Sequence, residues 1–97
     1  MKPEEQVQLG QAAEQLLRDP VLNKAWDDVR KSIHDLIENS KFDQHEQRED
    51  AYCMLRALTA VRGKIESHIR AAHGVQAEQK ELRTRTVKRV AEMFKGE

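Results

Sequence analysis

The chain has 97 residues, enough for one domain with a modest core, because small domains bury a smaller share of their surface. It is 38% hydrophobic and 4% aromatic with a mean hydropathy of −0.83. No apolar run approaches the ~20 residues a membrane span requires. Lys plus Arg and Asp plus Glu balance at 17 each, so total charge singles out neither a nucleic acid nor a protein partner, and the lone Cys53 excludes an internal disulfide and favours a reducing cytosolic setting.

No secretory leader is expected, since the chain opens with Glu4 and Glu5. The expectation is a soluble cytoplasmic protein with no membrane partner. A composition this polar leaves few residues to fill an interior, and such chains complete their cores on a partner or on a second copy. A homo-oligomer is therefore expected.

A first helix is predicted to about Arg18. Pro3 sits near its first turn, Glu4 and Glu5 complement the positive end of its dipole, and Leu9, Ala13, Leu16 and Leu17 form its apolar face. Asp19 before Pro20 starts a second helix running to about Asn39: aspartate caps free amides, and proline at the first helical position loses no hydrogen bond. On this helix Leu22, Trp26, Val29, Ile33 and Leu36 step almost entirely by three and four, which makes one apolar stripe.

Residues 39–43 form a short connection, with Ser40 or Asp43 available to cap the next helix. A link this short makes the flanking helices antiparallel neighbours. The third helix is predicted from about Gln44 to His73, ending at Gly74 as a left-handed terminator. Its ladder is Leu55, Leu58, Val61, Ile65 and Ile69, while Gln44 to Asp50 carries no apolar residue. Gly63 within this helix costs ~1 kcal/mol relative to alanine unless a close helix crossing needs the missing side chain; a close crossing is the expectation. A fourth, basic helix is predicted from about Val75 to Lys95, partly independent of the rest (75–97). No alternating run or Asn-Gly turn signals a strand.

The expected fold is thus all-α, one domain over 1–97: an antiparallel hairpin of helices ~20–39 and ~44–73, with the N-terminal helix packed across it and a basic C-terminal helix. The two ladders are the expected core and self-association seam, and Trp26 serves either as core or as interface anchor.

Chemistry is sparse. His34 with Glu38, and His45 with Glu49, have the i to i+4 spacing of a ligand pair, but no HExxH motif or further ligand accompanies them, so solvated pairs are expected and no metal or cofactor. Asp27 and Asp28, near Arg30 and Lys31, read as a solvated face. His73 beside Gly74 is expected to favour a helix C-terminus, and Cys53 to be a buried inert thiol. With no phosphate loop, nucleophile elbow or isolated carboxylate pair, no enzyme is expected.

The basic segment is the strongest candidate binding element. From Lys80 to Lys95 six basic residues face only Glu81 and Glu92, a local balance of +4. Val87, Val90, Ala91 and Phe94 supply an apolar stripe for a protein partner, with Arg83, Arg85, Lys88 and Arg89 as a basic rim. The same four cations suit phosphates, so a DNA-binding accessory role is an alternative. A third reading, an inhibitor of a host enzyme or defence complex, uses the acidic Glu46, Glu49 and Asp50.

The run Leu16-Leu17-Arg18-Asp19-Pro20-Val21-Leu22, then Ala25-Trp26, Glu49 through Leu58, Ala60-Val61-Arg62 and Ile65 through Ile69, resembles small helical proteins encoded among bacteriophage head and packaging genes. The resemblance spans Leu16 to Ala72 and implies the cytoplasm of a bacterial host cell or a virion-associated place, a setting in virion assembly more than a mechanism. The long basic C-terminus departs from the short tail of those proteins.

Overall fold

The computed structural model describes residues 1–95. Among them the chain forms three α-helices, α1 (Pro3–Arg18), α2 (Pro20–Glu38) and α3 (His45–Lys95), and no strand. The all-α expectation holds, and the division into helices differs.

The start of the chain follows its local chemistry. Pro3 occupies the first turn of α1 with Glu4 and Glu5, and Arg18 lies in the last turn, each on the favourable end of the dipole. Asp19 is the single residue between α1 and α2 and serves both. Its backbone N–H donates to Leu16 O at 3.2 Å, while its carboxylate accepts from Val21 N at 2.8 Å and Leu22 N at 3.0 Å. The Asn23 side-chain amide also donates to Leu17 O at 2.8 Å, satisfying a carbonyl that the end of α1 leaves open.

Between α2 and α3 the turn is closed from the far side. Arg48, in the first turn of α3, donates from Nη1 to Ser40 Oγ (3.1 Å) and Lys41 O (2.6 Å), and from Nη2 to Phe42 O (3.4 Å). Ser40 Oγ donates to Ile37 O, and Gln44 Oε1 accepts from Lys41 N. The expected capping of α3 by Ser40 is therefore replaced: Ser40 belongs to the end of α2, and a guanidinium, with several donors in one fork, gathers the turn carbonyls.

Both short helices lie along α3. Gly10 of α1 stands against Ala72 and the His68 carbonyl, Glu14 Oε1 meets His73 Nε2 at 2.8 Å, and Leu17 lies with Arg62 and Ile65. Leu22, Asn23 and Trp26 of α2 join that same cluster, and Val29 and Ile33 lie with Met54, Ala57, Leu58 and Val61. As the chain advances through α1 and α2, its neighbours on α3 retreat from Ala72 towards Met54. The more extensive packing is that of α1 on α3.

The interior is a thin seam of small residues. Among the described residues Gly10, Ala13, Ile33, Ala51 and Ala72 are the buried positions, and no large side chain is fully enclosed. The molecule measures 84 × 24 × 21 Å with a radius of gyration of 22.7 Å, against about 12.5 Å for a compact domain of this length.

Four sequence expectations are corrected. The chain does not break at Gly74: α3 runs 51 residues through it, ~76 Å at 1.5 Å per residue, so there is no separate fourth helix. A single glycine costs ~1 kcal/mol in a helix, and the flanking Ala71, Ala72, Gln76, Ala77 and Glu78 favour propagation; no glycine among the described residues has positive φ, so Gly74 forms no left-handed terminator. His73 accordingly lies inside a helix and bonds Glu14 instead of a helix end. The close crossing is not at Gly63, which has nothing within 4 Å of an added Cβ, but at Gly10. Cys53 is exposed: it points away from the Ala51–Leu55 side of the helix that packs.

Candidate interaction surface

The ladder residues divide into two rows. Ile33 is buried, and Leu22, Trp26, Leu55, Leu58, Ile65 and Ile69 are half-buried between the helices. Val29 (48% exposed), Leu36 and Val61 (52% exposed) form an outer row. A helical stripe is wider than the contact that one neighbour makes with it, and α2 covers only one edge of the α3 stripe.

The outer row lines an open apolar groove between α2 and α3. Val29 and Ile33 form one wall and Met54, Ala57, Leu58 and Val61 the other; Ser32 and Leu36 continue it towards the turn, with Asp28 at its rim. Met54 and Ala57 were not assigned to the seam from the sequence, although Met54, Ala57 and Val61 step by three and four. Another feature passed over is Phe42, 99% exposed at the tip of the turn.

Trp26 occupies the junction of all three helices, with Leu17, Leu22, Asn23, Arg62 and Ile65. It is half-buried and faces the core side of the seam.

The basic segment is the free end of α3. From Lys80 to Lys95 every residue is exposed, because α1 begins at Pro3 and reaches no further along α3. Arg85 pairs with Glu81 at 2.6 Å within the helix, while Arg83, Lys88 and Arg89 form no ion pair among the described residues. Leu82, Thr86, Val87, Val90, Met93 and Phe94 occupy one arc of about 140° at 100° per residue, and Phe94 is 73% exposed. Arg85, Lys88 and Arg89 share one face of about 100°, with Glu81 and Glu92 among them, whereas Arg83 lies about 140° from Lys88 and about 160° from Arg85 around the axis. The arc thus takes in Leu82, Thr86 and Met93 beside the expected Val87, Val90 and Phe94, leaves Ala91 at its edge and has Arg83 within it, while Arg85, Lys88 and Arg89 lie outside.

Elsewhere the polar groups are solvated. His34, Glu38, His45 and Glu49 are exposed, and no group of three or more His, Cys, Asp or Glu is arranged to hold a metal among the described residues. Asp27 and Asp28 are exposed as expected. The Lys24 ammonium is held above its ordinary range by its 2.6 Å hydrogen bond to Asp28 and then by the charge of that carboxylate, with slight opposition from burial and a further contribution from Asp27. Glu46, Glu49 and Asp50 stand exposed at the start of α3. No helix among the described residues is long and apolar enough to cross a membrane.

No protein-family model, curated protein or solved structure matches this chain.

Proposed function

We propose that this is a non-enzymatic interaction protein that self-associates through the α2–α3 ladders, arranged as an antiparallel hairpin, and docks a protein by the free end of α3. The observation that carries the reading is the outer apolar row: Val29, Leu36 and Val61, with Met54, stand open in a groove and recur at helical spacing. Apolar side chains aligned along a groove between two helices suit a further amphipathic helix. A cytoplasmic setting in virion assembly, which the resemblance of Leu16 to Ala72 implies, belongs to this proposal.

The test is solution mass by light scattering across a tenfold concentration range, for the wild type and for Val61→Asp. A dimer or larger ring in the wild type and a monomer of unchanged helicity in the variant support the proposal. A monomer in both removes self-association.

The exposed cations at the end of α3 favour one second reading, a DNA-binding accessory. Its mark is binding to duplex DNA that weakens steeply with salt and disappears when Arg83, Arg85, Lys88 and Arg89 become glutamine. Glu81 and Glu92, which lie in the same arc as Arg85, Lys88 and Arg89, weigh against it, since a helix lying along a duplex would turn them to the phosphates together with the cations.

A further inference from the structure

We propose that the groove and the free end of α3 are each other's partners in two copies of this chain: residues 80–95 of one copy lie in the α2–α3 groove of the other, reciprocally, in an antiparallel twofold dimer. The proposal rests on the self-association reading above and names its geometry.

Three observations carry it. The first is reach. Because α3 is one unbroken helix, it holds residues 80–95 beyond Ala72 and away from its own groove, which begins at Met54 and Val61. That end can enter a groove only on another molecule.

The second is surface area. A compact monomer of 11.3 kDa exposes about 5,700 Å², whereas this chain exposes 8175 Å², an excess of about 2,400 Å². A stable complex of standard size buries about 800 Å² on each partner, so two arm-in-groove contacts are within what the chain leaves uncovered.

The third is charge. Lys80 to Lys95 carries +4, and residues 27–50, which hold the groove's α2 wall and the acidic start of α3, have eight acidic and four basic residues, a net of −4. Centring the arm's apolar arc on the groove puts Lys80 and Arg89, each about 90° from the centre of the arc, along its two rims, beside this acidic segment. A twofold dimer makes this contact twice. Apolar core and charged rim match together, which fixes the antiparallel register better than area alone.

The geometry makes a distance prediction that the single cysteine can read. With the arm centred on the groove, the twofold axis passes near residue 73, and the two Cys53 side chains lie about 40 residues apart along the helix direction, about 60 Å at 1.5 Å per residue. A nitroxide on the exposed Cys53 of the full chain, with the mass of the labelled protein measured alongside, reports this by pulsed electron spin resonance. A dimer with a separation near 60 Å is the expected result. A dimer with the labels within ~30 Å means grooves packed on grooves at the same end, which overturns the arm exchange and leaves self-association standing. A monomer at every concentration overturns both. As a second arm, Lys80→Glu with Arg89→Glu, both at exposed positions, is expected to raise the dimer dissociation constant at least tenfold with unchanged helicity. An unchanged constant overturns the exchange.

Discussion

Gly10 of α1 lies so close to Ala72 of α3 that a Cβ added to the glycine would overlap the alanine methyl and stand 2.9 Å from the His68 carbonyl oxygen. Both neighbours belong to a well-supported helix, one through its backbone, so relief requires the helices to separate.

Gly10→Ala is therefore expected to destabilise the protein by about 1–3 kcal/mol through overpacking, in spite of the better helix propensity of alanine. Gly63→Ala has the opposite sign. With open space around the position, it gains up to about 1 kcal/mol of propensity. Thermal melts by circular dichroism distinguish the two, at roughly 4–8 °C per kcal/mol for a domain of this size. A stabilised Gly10→Ala variant would show that α1 does not approach α3 so closely.

Asp19→Ala removes the acceptor for the Val21 and Leu22 amides at the start of α2. The expected loss is about 1 kcal/mol, and Asp19→Asn, which keeps a capping oxygen, should restore most of it. Equal losses in both variants would mean that the carboxylate acts through charge and not as a cap.

Trp26→Ala empties the junction shared by Leu17, Leu22, Arg62 and Ile65. A loss of about 2 kcal/mol or more is expected, towards the lower side of buried tryptophan deletions because the ring is half-exposed. Leu58→Ala, on the wall between core and groove, should lower melting temperature and oligomer order together. If either variant loses oligomerisation while its melting temperature is intact, the residue serves the interface alone and the shared core fails.

Hydrogen exchange reads the two halves of α3 separately. Amides over 82–94 have no tertiary cover in the single chain and are expected to exchange much faster than those over 55–72 in dilute protein, since local opening needs only helix fraying. Protection of 82–94 that grows with protein concentration follows from the dimer. Strong protection that is independent of concentration would show instead that the arm is stabilised within its own chain.

Local signals were legible where the physics is local. The Asp19-Pro20 start of α2, Pro3 with Glu4 and Glu5, and the three-and-four ladders from Leu22 to Leu36 and Leu55 to Ile69 each act within one or two turns, and each appears in the structure as an element or a stripe. Gly74 misleads for an equally physical reason. A glycine after a ladder looks the same whether it ends a helix or is carried through it, and only the sum of propensities over the surrounding turns decides. The continuity of α3 then changes what the basic segment is: the unpaired end of a helix already built, held out in solvent.

What the sequence alone determined is the all-helical class, the start of α2 and the apolar stripe on each helix, because capping and periodicity are properties of neighbouring residues. Only the tertiary structure decided which edge of each stripe is covered. It placed α1 on α3 through the Gly10–Ala72 contact, turned Cys53 outwards, and left Val29, Leu36 and Val61 open beside Met54. These outcomes depend on which helix reaches which, a relation between residues about 60 positions apart such as Glu14 and His73, and spacing along the chain carries no record of it.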